Sequence, residues 1–302
     1  RTVPGSSEGR GARLGPASHQ GDQNVTDHLD DRVVIVTGAA SGFGRLLTSK
    51  LSGGGASVVA CDISEEALLE SVDEATAAGG AAIAQVADVT DLSQMQAAVT
   101  VAGERVGTVD VIVNNAGVMP LAFYADHARA VDAWDRCIDV NLKGVLNGII
   151  AVHDRMIEQG RGHVVNLSSI YGNHPVAGAA VYGATKAAVS FLSDALRVES
   201  QGRIKVTTIR PTGVPGTGLG EGIVNPEAIG GILGAAMPEY MGQVMAVAAG
   251  EGSAEQVDPD RIEYLMLDPE LLADQIVHTI DQPWGVSISD ITVRASGDRY
   301  LL

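Results

Sequence analysis

The chain has 302 residues, 45% of them hydrophobic and 19% charged, which supports a sizeable core and excludes a disordered chain. Its formal charge of −17 excludes binding to nucleic acid or to an anionic membrane through bulk electrostatics. Uninterrupted apolar runs stay strand-sized, well short of the ~18 residues a spanning helix needs.

Residues 1–24 are rich in Gly, Ser, Pro and Arg and show no periodicity, so they are expected to be a disordered leader or appended tail. Residues 25–302 are expected to form one domain. Residues 33–36 (Val-Val-Ile-Val) read as a buried strand, and 42–51 as a helix closed by Gly53-Gly54-Gly55. A second strand is expected at 57–60. A helix over 65–78 follows, with Ser64 as its cap and Gly79-Gly80 as its stop. A strand at 82–86, a helix over 92–106 capped by Asp91, and a strand at 109–113 come next. One long helical stretch then ends near Gln159-Gly160. Strands are expected at 163–167, 204–209 and 289–293, with a helix over 181–200 between the first two. Asp268-Pro269 opens a last helix, with Asp as cap and Pro in the first turn, running to about 280. Short apolar strands alternating with helices imply a parallel sheet of about seven strands, covered by helices on both faces: a doubly wound α/β fold. Residues 212–267 break this rhythm and are expected to be a substrate lid. Cys61 and Cys137 give no disulfide framework and are expected to be reduced, buried thiols of a cytoplasmic protein.

Thr37-Gly38-Ala39-Ala40-Ser41-Gly42-Phe43-Gly44 follows the first strand and opens a helix. Glycines at 38, 42 and 44 let the backbone turn tightly and approach a pyrophosphate at the positive end of that helix. Asp62 ends the second strand, where a carboxylate accepts from both ribose hydroxyls and repels a 2′-phosphate. Neither Ser41 nor Ile63 is basic, so NAD is expected over NADP. Asp88-Val89, after the third strand, is a candidate adenine contact. Tyr182 and Lys186 share a helix face at i and i+4, and an ammonium near a phenol lowers its pKa toward general acid–base use. Ser169 stands 13 residues before Tyr182 at the end of the fifth strand, and Asn114-Asn115-Ala116-Gly117 ends the fourth. All lie at the carboxyl ends of strands, where open α/β sheets place their sites. The seven histidines form no ligand cluster, so no metal is expected. Only four of the 20 basic Lys and Arg residues are lysines, and Lys186 is one of them.

The glycine loop, the Asn-Asn-Ala-Gly run, the serine and Tyr-x-x-x-Lys, in this order, resemble the short-chain dehydrogenase/reductase family. The resemblance is strong over 32–211. It implies a single-domain Rossmann-type fold with NAD or NADP at the strand ends. Contacts to that cofactor would come from Gly38, Ser41, Gly42, Phe43, Gly44, Asp62, Asp88, Val89, Asn115, Ala116, Gly117, Tyr182 and Lys186. Asn141 would hold a proton-relay water. Ser169 would hydrogen-bond the substrate oxygen, Tyr182 would be the acid/base, and Lys186 would lower its pKa and bind the nicotinamide ribose. One departure is Pro211-Thr212-Gly213-Val214, where most members carry Pro-Gly. Pro211, the Thr212 hydroxyl and the Val214 backbone are candidate carboxamide contacts. The implied reaction interconverts a secondary alcohol and its ketone by hydride transfer.

Met119, Ile170, Tyr171 and Val176, with Tyr182, are the candidate substrate contacts. Apolar lid residues from Leu219 to Met245 add to them. No Arg stands in the strand-end motifs, so the expected substrate is uncharged and moderately bulky, such as an aryl, terpenoid or steroid alcohol. A reductase of 3-oxo or hydroxy acids or esters is an alternative. A non-catalytic dinucleotide-binding sensor is an alternative of another class. The resemblance also implies a homotetramer or homodimer through the helix before the fifth strand and the Tyr182 helix.

Overall fold

The computed structural model describes residues 28–300, and the reading of 1–24 lies outside them. The strands are β1 (Val33–Thr37), β2 (Ser57–Asp62), β3 (Ala81–Val86), β4 (Val111–Asn114), β5 (Gly162–Leu167), β6 (Ile204–Pro211) and β7 (Asp290–Val293). They form one parallel sheet in the order β3-β2-β1-β4-β5-β6-β7. The order reverses between β1 and β4, which opens a crevice at their carboxyl ends. The helices are α1 (Gly42–Gly53), α2 (Glu65–Ala77), α3 (Leu92–Arg105), α4 (His127–Ile138), α5 (Gly144–Gln159), α6 (Ala180–Glu199), α7 (Met237–Ala248), α8 (Ala254–Val257) and α9 (Pro269–Ile280).

Alternation along each strand sorts side chains onto two apolar layers. Val34, Val36, Val58, Ala60, Val111, Val113 and Val165 pack with Leu47 and Leu51 of α1 and Leu272 and Ile276 of α9. Val33, Ile35, Val59, Ile112 and Val164 face the other way, against Met95 of α3, Val152 and Met156 of α5 and Val189 of α6. A fully buried aliphatic side chain such as Ile35 contributes roughly 1.5–3 kcal/mol. β3 is an exception to the two-sided burial read from the sequence. It is one edge of the sheet, with exposed ends and a half-buried middle, and β7 at the other edge is covered no better.

Local signals behave unevenly. The Asp91 carboxylate accepts from Ser93 N and that of Asp268 from Glu270 N, so both cap their helices. Ser64 does not cap α2 with its side chain. The Asp62 carboxylate takes the Ser64 amide instead. The long helix before β5 is interrupted by one π-helical turn, Asp139–Lys143, between α4 and α5. Residues 212–267 are more ordered than their composition implies, with short 3₁₀ turns, α7 and α8. Cys61 and Cys137 are free and buried. At the amino ends of the strands Arg32, Arg161 and Lys205 converge on the Trp284 indole, 4.5, 5.1 and 5.4 Å from its ring centroid. Among the described residues, no helix is long and apolar enough to cross a membrane.

Candidate active site

A cavity of about 1330 Å³ opens at the carboxyl ends of the strands. One side is the glycine loop between β1 and α1. Gly42 has φ +49°, and a methyl group there would meet the Thr217 carbonyl oxygen at 2.5 Å. A methyl on Gly44 would lie 1.9 Å from the Gly38 oxygen, so α1 packs onto its own loop only without a side chain there. Gly38, Ser41, Gly42 and Phe43 line the cavity, while Gly44 lies behind them. This is a cradle that Cβ atoms would fill, with a helix amino terminus behind it, and it fits the phosphates of a dinucleotide.

Thr37 holds the loop to β4. Its buried hydroxyl accepts from the amides of Asn115 and Ala116, at 3.0 and 3.1 Å. The Asn115 side chain donates in turn to the Thr37 and Gly38 carbonyls, at 2.8 and 3.2 Å. The Asp62 carboxylate accepts from the Ala40 amide and faces the same cavity. Asp88 accepts from the amide and hydroxyl of Thr90, and both it and Val89 reach the lining. Ala116 and Gly117 line it as well, and so do Pro211, Thr212 and Val214.

The second half gathers around the end of β5. Two adjacent serines there have different partners. Ser168 donates to the Lys186 carbonyl at 2.8 Å and so anchors α6. Ser169 accepts from the Tyr171 amide and hydrogen-bonds the Tyr182 phenol. Lys186 Nζ donates to the Leu167 carbonyl at 2.9 Å and lies 5.8 Å from the Tyr182 ring centroid. Both side chains are buried. Desolvation pushes the Lys186 ammonium down to about 8. It also pushes the Tyr182 phenol above its ordinary value, and the Ser169 hydrogen bond only partly offsets this. Burial dominates, and the ammonium is committed to a backbone carbonyl over the ring face.

Asn141 lies in the π-helical turn, fully buried and off the cavity lining. Its amide is bound twice to the Val118 backbone, accepting at 2.8 Å and donating at 2.9 Å. It thereby fixes the strand end that carries Gly117, whose added Cβ would sit 3.5 Å from Lys186 Nζ.

Of the candidate substrate contacts, Met119, Tyr171 and Tyr182 line the cavity. Ile170 and Val176 do not. The 3₁₀ turn capped by Ser169 buries Ile170 against Ile232, Leu233 and Leu265. Val176 packs among the apolar residues beneath the lid. Leu219, Ile223, Ile229, Tyr240 and Met241 of the lid reach the lining, whereas Met245 is exposed. Gly213 of the loop after β6 lines it too, and Val244, Met266 and Tyr300 do so unanticipated by any local motif. Among the described residues, no group of His, Cys, Asp and Glu is placed to hold a metal.

Residues 32–227 match the family described as short chain dehydrogenase. An uncharacterized oxidoreductase of Listeria monocytogenes is 35% identical over 268 residues, spanning 88% of this chain and 96% of that protein. The glycine betaine reductase ATRR of Emericella nidulans is 33% identical over 266 residues, 88% of this chain but 19% of that much longer protein. Among solved structures, a short chain dehydrogenase/reductase from Burkholderia phymatum in complex with NAD is similar at TM-score 0.68 and 27% identity. The match covers 88% of this chain and 89% of that one. A metagenomic short-chain oxidoreductase in complex with NADP is similar at TM-score 0.66 and 27% identity, over 88% and 98% of the two chains. A sheet in this order, a glycine loop at its first turn and these relatives agree, and the chain belongs to the short-chain dehydrogenase/reductase family of oxidoreductases.

Proposed function

We propose that the protein interconverts a secondary alcohol and its ketone with a nicotinamide dinucleotide, preferring NAD. The observation that carries this reading is the meeting of Ser169, Tyr182 and Lys186 inside the cavity that the glycine loop also lines. Relatives of known structure hold NAD in one case and NADP in another. Asp62 supports NAD here, because its carboxylate faces the cavity and neither Ser41 nor Ile63 supplies a positive charge for a 2′-phosphate.

A bound nicotinamide dinucleotide supplies the acceptor or donor of the hydride. Gly38, Ser41, Gly42 and Phe43 would hold its phosphates, Asp62 its adenosine ribose, and Asp88 and Val89 the adenine. Asn115, Ala116, Gly117, Pro211, Thr212 and Val214 would hold the nicotinamide half. Ser169 hydrogen-bonds the substrate oxygen and orients it toward Tyr182. Tyr182 Oη moves the proton: it accepts from the alcohol in oxidation and donates to the carbonyl oxygen in reduction. Lys186 keeps positive charge near that phenol and would hold the nicotinamide ribose of a bound dinucleotide. Asn141 secures the Val118 backbone and, through its turn, a proton-relay water.

Residues 25–302 act as the catalytic domain and 212–267 as its substrate lid. Apolar lining residues such as Met119, Leu121, Ile223 and Met241 support an uncharged, moderately bulky substrate of aryl, terpenoid or steroid type. Exposed Leu146 and Ile150 on α5, with Phe191 and Val198 on α6, support a homodimer or homotetramer through those helices. Two buried cysteines kept as free thiols support a cytoplasmic location. Tyr182→Phe tests the reading. Turnover of neutral alcohols with NAD is expected to fall at least about 100-fold, with dinucleotide affinity nearly unchanged by titration calorimetry. Activity that survives the substitution refutes the assignment.

A further inference from the structure

The loop after β6 places Gly213 one position later than the family's usual Pro-Gly. Its backbone is not in the left-handed region, so turn geometry does not require glycine there. Close approach does. An added Cβ at Gly213 would lie 1.7 Å from the Tyr300 hydroxyl and 2.6 Å from its ring carbon Cζ. Tyr300, past the end of β7, therefore reaches back across the sheet's carboxyl edge into the cavity through the space that residue 213 leaves.

Three sets of contacts hold it there. Its amide donates to the Asp298 carboxylate, and its carbonyl accepts from Arg294. Arg299 pairs with Glu239 of α7 at 2.9 Å, tying the same strap to the lid. Its ring meets that of Tyr240 edge-on at 5.7 Å, and the two phenols hydrogen-bond. On the other side Tyr300 and Tyr171 pack against the same buried apolar cluster, and Tyr171 packs edge-on against Tyr182 at 5.6 Å. All four tyrosines line the cavity, from the candidate acid/base to the lid.

We propose that Tyr300, seated by the missing side chain at Gly213, is the residue that sets substrate size. It lines the same cavity as Ser169 and Tyr182, packed against Tyr240 of the lid. The class it admits is neutral secondary alcohols and ketones carrying one ring-sized apolar group. This inference rests on the proposed alcohol–ketone reaction.

The test uses the full chain with NAD and a graded series of alcohols: 2-butanol, 1-phenylethanol and 1-(2-naphthyl)ethanol. Binding of acetophenone and 2-acetonaphthone is measured separately by tryptophan fluorescence. The wild type is expected to favour the phenyl member. Tyr300→Ala is expected to move the preference to the naphthyl member, by about tenfold or more in relative kcat/KM, carried by KM. Tyr300→Phe keeps the ring and the wild-type order. Gly213→Ala expels the phenol, so it is expected to reproduce the shift of Tyr300→Ala, and the double variant to add nothing to it. An unchanged order in Tyr300→Ala overturns the proposal. An equal loss for all three alcohols together with weakened NAD binding also overturns it, because it marks a structural role. If the wild type binds the ketones but turns over no alcohol, the proposed reaction fails. The proposal is then decided by whether Tyr300→Ala reverses the relative affinity for the two ketones.

Discussion

Replacing Lys186 by methionine removes a buried charge while keeping the length of the side chain. The ammonium has an ordinary value of 10.5 and stands at about 8 in the folded protein. That gap disfavours the folded, charged form by about 3 kcal/mol at pH 7. Below pH 8 the lysine is charged in both states, so the full penalty is present. Between 8 and 10.5 the folded protein has released the proton and the unfolded chain still holds it, so this group's contribution to stability rises with pH. By pH 9.5 about 2 kcal/mol of the penalty has gone. The thioether of the variant titrates nowhere, but it leaves the Leu167 carbonyl without its 2.9 Å donor, at a cost of about 1–3 kcal/mol independent of pH. The diagnostic is therefore a slope. The stability difference between Lys186→Met and the wild type should move by about 2 kcal/mol in favour of the wild type from pH 7 to 9.5. Urea unfolding without dinucleotide, at one protein concentration, measures it. Subtracting the variant cancels the buried Cys61 and tyrosines, whose raised values act with opposite sign in both proteins. A difference that stays constant across this range refutes the claim that Lys186 is held charged at an energetic cost.

Because burial raises the Tyr182 phenol, alcohol oxidation should accelerate as pH rises above neutrality and ketone reduction should weaken, as steady-state rates in both directions will show. Asp62→Ser should narrow the preference for NAD over NADP by about tenfold or more, measured as the ratio of dissociation constants; an unchanged ratio removes Asp62 from cofactor choice. Gly44→Ala should destabilise the protein by about 1–3 kcal/mol and weaken dinucleotide binding, because the methyl meets the Gly38 oxygen at 1.9 Å; chemical unfolding and calorimetry check both. Thr37→Val should cost about 1–3 kcal/mol by leaving the Ala116 amide without its acceptor and the Asn115 amide with the Val113 carbonyl alone, read by the same unfolding curves.

Much of the sheet is legible in the sequence because each central strand is a short apolar run ended by a turn, and the crossover rule then fixes what lies beside what. The motif residues are legible for a related reason. Gly38, Asn115, Ser169 and Tyr182 each sit next to a strand end or helix start in sequence, so local pattern and spatial position coincide. Elsewhere the two separate. Ser64 stands at the N-cap position as read, but its hydroxyl takes no amide of the first turn, and its own amide is held by Asp62 two residues before it. Ile170 reads as a pocket residue because it follows Ser169, yet a single 3₁₀ turn rotates it into the core. The π-helical turn at Asp139–Lys143 carries no composition signal, since its residue types are ordinary helix residues. Gly213 and Tyr300 are separated in sequence by the whole lid, the last helix and the last strand. Only a coordinate-level contact reveals why a glycine stands where a side chain would fit the loop.

The chain has two tryptophans, and the fold places them at opposite ends of the strands. Trp284 lies beneath three cations at the amino ends of the strands. Trp134 belongs to α4 and stacks edge-on with Tyr124 at 6.2 Å, on the helix whose Asp132 and Asp135 rim the cavity. The molecule thus carries one optical reporter at its closed end and one beside its open end. With Trp284→Phe the remaining emission follows ligands entering the cavity. With Trp134→Phe it follows the loosening of the sheet, so binding and unfolding can be watched separately in the same protein without an added dye.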